Sequence, residues 1–494
     1  MTTEAIPREQ RPYDPADLSG LAFWSTTAAE RERTFAELRA ERPVSWHRPV
    51  ANGLFEDPND QGFWAVVRHE HVVEVTRRHD DFLSGEGIVF ESMPQELLDA
   101  GQGFIAMDPP RHTRVRRLLA SAFTPRQMRR IEDRITANSA RIVDAVADEP
   151  EFDLVARVSA LVPMHNICDM VGVPDEHRRT IAHEAQFAGG WRDETLLDGA
   201  DPLTRLLEAA GTMREVCFAL LAERRAAPVA ERPDDLLTAL VAAEIDGERL
   251  SDDEIVSFFG LLMVAGNDTT RQAISHGTRL LTEHPDQADW LREDLDARLP
   301  TAVEEVLRVS TPIMTFRRTA ARDCELAGQR LTAGDKVVLF YASANADPAV
   351  FADPLRFDVA RSPNHHLAFG GGGIHHCLGL QLARRQLLAT FRELLTRLPD
   401  LEVVGEPRLG TGNFFHAVTR MTVRHGRGGR GMRIAHDESR CAATGICESL
   451  APDVFEVGED GWLVVLETEP AEHRRAAVAE ACAACPTGAL VLEG

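Results

Sequence analysis

Cys377 closes the stretch His366-Leu-Ala-Phe369-Gly-Gly-Gly-Gly-Ile-His375-His-Cys377-Leu-Gly379, and an apolar, basic helical pattern follows (Leu380, Leu382, Ala383, Arg384, Arg385, Leu388). Glycines let the backbone come close to a sulfur and aim N–H groups at it. The positive end of the following helix favours the thiolate over the thiol. A thiolate held that way is a good axial ligand for a haem iron, where it pushes electron density onto the metal and favours O–O cleavage. A buried structural cysteine after a flexible loop is the plain alternative. Four consecutive glycines, a histidine two residues before the cysteine and a glycine two after it argue for the ligand.

The loop resembles the cysteine-ligand loop of the cytochrome P450 family, and other positions support the likeness. Glu305-Val-Leu-Arg308 places an acid and a base at i, i+3 on a helical pattern with Ala302, Val303, Val306 and Leu307 as its apolar positions. The resemblance makes this the family's ion pair beneath the haem, with Arg356 in Phe351-Ala-Asp-Pro-Leu-Arg356-Phe357 as the third charged partner. The role implied for Glu305, Arg308 and Arg356 is structural. A further apolar helical stretch, Phe258-Phe-Gly-Leu-Leu-Met-Val-Ala265-Gly266-Asn267-Asp268-Thr269-Thr270, is interrupted by glycine and then by an acid beside a hydroxyl. Glycine inside a helix costs about 1 kcal/mol against alanine, so a reason for it is expected. A helix end capped by Gly266 and Asn267 is one reading. The resemblance implies another: the helix crosses the haem face and opens at Ala265 and Gly266. Thr269 is then a hydrogen-bond donor in oxygen activation and Asp268 a proton relay.

Haem carries two carboxylates that need cations. By resemblance, the residues that bind them are His112 and Arg116, at i, i+4 on one helix face, together with Arg318 and His375; Arg317 competes with Arg318. The family's phenylalanine usually lies seven residues before the cysteine. Phe369 lies eight before Cys377, so the loop carries one extra residue. Substrate-pocket positions carried over from the family are Ile88, Val89, Phe90, Phe104, Ile105, Leu262, Ala265, Ile313, Met314, Phe414 and Phe415, mostly apolar and suited to a hydrocarbon-rich ligand.

The likeness runs from about residue 15 to 425. The expected organisation is a haem domain over 1–425, a Gly/Arg linker over 426–431 and a second domain over 432–494. Half of the eight cysteines fall in that last segment: Cys441, Cys447, Cys482 and Cys485. Disulfides are the ordinary expectation for a small cysteine-rich domain. The first residues, Met-Thr-Thr-Glu-Ala-Ile-Pro-Arg-Glu-Gln, carry no apolar signal core, which points to a reducing compartment instead. A four-thiolate zinc site is weakened by the five residues between Cys441 and Cys447. The run Cys441-Ala-Ala-Thr444-Gly-Ile-Cys447 with the later Cys485-Pro486 resembles a bacterial single-cluster ferredoxin in which Thr444 replaces the middle cysteine. Cys441, Cys447 and Cys485 then hold a [3Fe–4S] cluster. Cys482 is a spare thiol, or the fourth ligand of a [4Fe–4S] cluster if its helix unwinds.

The fold expected is the mainly α cytochrome P450 fold, a helical haem domain with small β-sheets, followed by a small α+β ferredoxin-like domain. No run of about eighteen apolar residues offers a membrane span. A net charge of −24 argues against nucleic acid or an anionic membrane as partner. The acidic last segment has a potential docking face in Arg111, Arg114, Arg117, Arg384 and Arg385. No Gly-x-Gly-x-x-Gly stretch follows a strand pattern, so the chain has no site of its own for hydride from NAD(P)H. The expectation is a soluble, cytoplasmic, bacterial monooxygenase that binds haem b and O2, and hydroxylates a hydrophobic substrate such as a terpenoid, steroid or branched lipid. A separate NAD(P)H-dependent ferredoxin reductase supplies electrons through the cluster. A haem sensor or electron carrier has no need of Asp268 and Thr269, and a peroxygenase has no need of a fused ferredoxin.

Overall fold

The computed structural model describes residues 8–50, 55, 57–93, 98, 103–123, 125–190, 199–426, 433–458, 461–468, 470 and 474–493. Apart from Gly426, the linker expected at 426–431 lies outside the described residues. The chain divides into two compact units, Met1–Arg397 with Val403–Val423, and Leu398–Glu402 with Arg424–Gly494.

The first unit is helical with small sheets. The helices that build its site are α1 (His69–Arg77), α2 (Arg111–Ala122), α3 (Pro125–Asp144), α4 (Leu161–Val171), α5 (Asp175–Gly189), α6 (Pro202–Ala226), α7 (Asp252–Glu283), α8 (Leu295–Ser310) and α9 (Leu380–Arg397). The centre is α7. It starts at a capping box in which Ser251 accepts from the Glu254 N–H and Glu254 accepts from the Ser251 N–H. It is buried along most of its length, and α4, α5, α6, α8 and α9 pack on it. A helix apolar on one face only could not take that position. The helix runs unbroken through Gly266, so neither the expected opening nor a helix end occurs there. Glycine lets α4 approach closely: a Cβ on Gly266 would stand 2.7 Å from Cδ1 of Ile167, which would have to shift.

A five-stranded sheet is built from segments on either side of most of these helices in sequence: β1 (Val44–His47), β2 (Phe63–Val66), β3 (Phe82–Leu83), β4 (Thr315–Ala320) and β5 (Lys336–Phe340), in the spatial order β1-β2-β5-β4-β3. Only β5 and β2 run parallel. Trp24, Phe35, Phe63 and Phe340 fill its core. Phe90 and Met314, expected in a substrate pocket, belong to this core instead. Phe90 is 1% exposed, with its ring 4.6 Å edge-on from Phe63, and Met314 is 4% exposed. Large apolar side chains next to a binding loop read the same in sequence whether they face the loop's cavity or the sheet behind it.

The second unit pairs β6 (Arg433–His436) antiparallel with β9 (Leu490–Glu493), and β7 (Phe455–Val457) with β8 (Leu463–Val465). Two short helices, α10 (Ile446–Leu450) and α11 (Arg475–Ala483), complete it. Its small core is Ile434, Val454, Phe455, Leu463, Val478, Ala481 and Leu490.

Candidate functional site

The Cys377 loop is shaped by its glycines in two ways. Gly370 and Gly372 take φ of 94° and 84°, which side chains disfavour. Gly371 and Gly373 lie against α1, where a Cβ would overlap Thr76 Oγ1 and the Thr76 carbonyl oxygen respectively. The extra residue of the loop is thus absorbed by glycine alternately turning and pressing on α1. The loop closes through the Cys377 N–H, which donates to the Phe369 carbonyl at 3.1 Å. Phe369 is fixed by the Arg384 guanidinium 4.8 Å over its ring and by His366 at 5.9 Å. Glu304 holds both: Arg384 donates to it twice at 2.7 Å and His366 Nε2 lies 3.1 Å away. Burial would raise the Glu304 pKa, but these partners bring it down to about 2. Burial raises the Cys377 thiol, against the Gly379 N–H and the charges of Arg116 and Arg384. A metal cation on the sulfur is the partner that completes its conversion to thiolate.

Four basic side chains gather near the sulfur. The rings of His112 and His375 are 4.3 Å apart; His112 is buried and His375 half-buried. His375 Nε2 meets Ser84 Oγ at 3.1 Å, whereas His375 Nδ1 and both His112 nitrogens have no protein partner. Burial pushes His112 down to about 4 and His375 to about 2. Arg116 donates to the His376 carbonyl at 2.6 Å and Arg318 to the Arg317 carbonyl at 2.7 Å; neither has an acidic partner within ion-pair distance among the described residues. Arg116 and Arg318 are cations without anions, which is costly away from water, and the two histidines present ring nitrogens without partners; a flat group carrying two carboxylates would pair with all four. The residues fit haem. The alternation of β4 sends Arg317 to the other face, where it reaches the Glu91 carbonyl at 3.3 Å and its N–H binds the Ile88 carbonyl at 2.8 Å. It therefore tethers the 88–91 loop.

Beneath the loop the Glu305–Arg308 pair is buried and bidentate, both N–O distances being 2.7 Å. The third cation is Arg361, not Arg356: Arg361 Nε donates to Glu305 Oε1 at 3.1 Å. Arg356 is exposed and contributes its carbonyl oxygen, which accepts from Arg308 at 3.2 Å. The turn Phe351–Phe357 carries the side chain of Arg356 outward, and spacing alone does not distinguish that from the later arginine. Asn364 at 3.0 Å and the Asp358 N–H at 3.1 Å complete the shell of Glu305.

On α7, Thr269 Oγ1 donates to the Ala265 carbonyl at 2.7 Å. Ala265, Gly266 and Thr269 are half-buried, whereas Asp268 is fully buried. Burial lifts Asp268 to about 6, against the charge of Arg271. Of the pocket positions, Phe104, Ile105 and Leu262 join one apolar cluster with Phe258, and Phe104 stacks 6.0 Å from His112. Ile313 bridges Phe415, whose ring is 4.8 Å from Phe414. Ile88 is buried and Val89 half-buried. Asn413 was not singled out by its sequence; it donates to Glu91 at 3.2 Å and its carbonyl accepts from Thr315 at 2.7 Å, which ties three of these segments together. The expected basic docking face is largely paired within its own unit: Arg384 with Glu304, Arg385 with Glu132, Arg114 with Glu254 and Arg117 with Asp246.

In the second unit, Cys441, Thr444, Cys447 and Cys485 line one pocket with Ile446, Leu463, Pro486 and Leu490. Ala443 and Gly445, with φ of 46° and 71°, turn the loop around it. The Ala443 N–H donates to Cys441 Sγ at 3.4 Å. Burial would raise Cys485, but the Thr487 hydroxyl 3.6 Å away and the N–H groups of Leu490, Thr487 and Ala489 bring it down to about 7. Cys482 is on α11, outside the pocket lining. All eight cysteines are free thiols, and among the described residues no group of ligands converges on a single metal-ion position. Thiolates spread around a pocket suit a polynuclear cluster.

Comparison with known proteins decides the family. A methyl-branched lipid omega-hydroxylase of Mycobacterium tuberculosis is 39% identical over 420 residues, 84% of this chain and 96% of that protein. The chain belongs to the cytochrome P450 family. The family's profile matches this P450 over residues 200–399, and that of the 4Fe-4S single cluster domain of Ferredoxin I matches residues 437–491. A steroid C26-monooxygenase of Mycolicibacterium smegmatis is 37% identical over 76% of the P450 chain and 86% of its own. A Mycobacterium marinum cytochrome P450, CYP268A2, solved with pseudoionone, is 52% identical with a TM-score of 0.80, covering 84% of this chain and 99% of its own. The protein is thus a P450 monooxygenase with a C-terminal iron–sulfur ferredoxin domain. Among the described residues no helix is long and apolar enough to cross a membrane.

Proposed function

We propose that this P450 hydroxylates a branched, hydrocarbon-rich molecule of the terpenoid, steroid or methyl-branched lipid class, with electrons reaching its haem from a separate NAD(P)H-dependent ferredoxin reductase through its own ferredoxin domain. The carrying observation is the Cys377 loop beside four basic groups without anionic partners, His112 and Arg318 buried and Arg116 and His375 half-buried, in one unit with the Asp268–Thr269 pair of α7. Haem bound there supplies a thiolate-ligated iron that, with two electrons and two protons, puts one atom of O2 into a C–H bond and releases the other as water. Cys377 Sγ would hold the haem iron, and Arg116, Arg318, His112 and His375 would hold the haem carboxylates. Thr269 Oγ1 rests on Ala265 O; breaking that bond frees its hydrogen for the oxygen site. Asp268, lifted to about 6, gains and loses a proton near neutral pH and passes it toward Thr269. Phe104, Leu262, Ile313, Phe414 and Phe415 exclude water and orient apolar substrate.

The relatives' names, a methyl-branched lipid hydroxylase and a steroid monooxygenase, and the pseudoionone bound to a third support the substrate class. The ferredoxin domain is read as holding a [3Fe–4S] cluster, because three thiolates and Thr444 line its pocket while Cys482 does not. A cluster of either type passes electrons one at a time. A short tether gives it an effective concentration on the order of millimolar at the haem unit. The test is reconstitution with a ferredoxin reductase, NADPH and a panel of terpenoids, sterols and branched fatty acids, first screened by haem spin-state shift. A mono-hydroxylated product with no added ferredoxin is expected. Turnover only with added ferredoxin would overturn the electron route, and shifts only with polar ligands the substrate class.

A further inference from the structure

Asp268 has a neighbour that its role in α7 does not explain. Arg271 brings Nη2 to 2.7 Å from Asp268 Oδ1. The contact lacks hydrogen-bond alignment, and neither carboxyl oxygen receives a hydrogen bond. The last turn of α5 ends against the other oxygen. A Cβ on Gly189 would overlap Asp268 Oδ2 and stand 2.8 Å from Cγ, nearer than carbon atoms approach without bonding. Gly189 does not have a positive φ, so its backbone does not call for glycine. Glycine in a helix is also disfavoured against alanine. What the position requires is space, and the carboxyl fills it.

We propose that Gly189 is a positioning residue for proton delivery: the space left by its absent side chain is the berth that holds the Asp268 carboxyl in its buried ion pair with Arg271. The inference rests on the reading of Asp268 as the relay. An acid seated there is shielded by α5 on one side and bound to Arg271 on the other, so its place and its readiness to transfer a proton depend on the end of α5. Gly189→Ala fills the berth and displaces the carboxyl.

The test uses the full-length holoprotein with a ferredoxin reductase, NADPH and pseudoionone as the probe ligand. Oxygen consumption, its solvent deuterium isotope effect and melting temperature are measured for Gly189→Ala, Asp268→Asn, Asp268→Ala and the double variants. Gly189→Ala should slow oxygen consumption about tenfold and change the isotope effect. It should add nothing in the Asp268→Asn background. It should also lower the melting temperature alone, yet leave Gly189→Ala/Asp268→Ala as stable as Asp268→Ala, because the smaller residue vacates the berth. That comparison decides the juxtaposition even if Gly189→Ala alone does not fold. Slow turnover in Asp268→Asn with unchanged turnover and isotope effect in Gly189→Ala would overturn the role of Gly189 only. A double variant as unstable as Gly189→Ala alone would overturn the berth. Unaltered turnover in Asp268→Asn would sink the relay reading itself.

Discussion

Cys377 and Thr269 are small side chains whose chemistry is set by what holds them. The sulfur is buried, which opposes ionisation, while one N–H and two guanidiniums favour it. Cys377→Ser should therefore abolish the absorbance at about 450 nm of the reduced, CO-bound protein, the signature of thiolate ligation; a retained band would remove Cys377 as the ligand. Thr269 is fixed through a bond to Ala265 O rather than pointing free. Thr269→Val keeps the shape and removes the hydroxyl. It should leave NADPH oxidation within a few-fold of normal while most of the oxygen consumed appears as hydrogen peroxide; peroxide and product assays decide this, and intact coupling would assign the role to another group or to water.

At the scale of elements, Glu305 joins α8 to the segment before the cysteine loop. Arg308, Arg361, Asn364 and the Asp358 N–H all donate to its carboxylate, which is fully buried. Removing the acid leaves two guanidiniums buried without their anion, a loss of about 3–5 kcal/mol for such a pair. Glu305→Ala should lower denaturant-derived stability by that amount and impair haem retention, whereas Arg356→Ala, which deletes only an exposed side chain, should change stability by less than about 0.5 kcal/mol. A second element-level contact is His416, whose Nδ1 bonds Ser310 O at 2.6 Å while its carbonyl lies 3.0 Å from Nε2 of His276 on α7. Burial holds His416 and, on β1, His47 down at about 4. An unfolded histidine titrates near about 6.5. Between those values the unfolded chain binds more protons than the folded one, so stability is full above the unfolded pKa and falls as pH drops through the window. Thermal melts should show a falling midpoint from pH 6.5 toward pH 4.5, before carboxylates such as Glu304, held at about 2, begin to contribute. A flat profile there would mean these histidines titrate normally.

For the whole molecule, the proposed route runs within one chain, from the ferredoxin domain to the P450 unit. Truncation after residue 424 should leave a haem protein with its spectrum intact, whose reductase-driven turnover returns only when a ferredoxin is added. Unaltered turnover of the truncated form would remove the ferredoxin domain from the route. Iron analysis of the intact chain should give about four atoms, one from haem and three from the cluster, and Cys482→Ser should leave that number unchanged. A value of about five, lost on Cys482→Ser, would make Cys482 a fourth ligand and the cluster [4Fe–4S].

Residue types at fixed local spacing were enough to read the glycine-rich cysteine loop, Glu305 with Arg308, the Asp268–Thr269 pair and the Cys441–Cys447 run, because each is local: a turn, a helical i, i+3 pair or a short loop carries its own chemistry in consecutive positions. The family, the fold class and the ferredoxin domain follow from the same stretches. Tertiary structure alone decided between alternatives that sequence treats as equal. It chose Arg361 over Arg356 because the turn aims one guanidinium at Glu305 and the other outward. It separated Arg317 from Arg318 by the alternation of a strand, and put Phe90 and Met314 behind the sheet rather than in the pocket. It left Cys482 outside the pocket that Cys485 lines. Gly266 and Gly189 are the clearest cases, since what they accommodate, Ile167 on α4 and Asp268 on α7, lies far away in the chain. A side chain's partner across the core is fixed by the packing of whole elements, and that information is not held in any local window of residues.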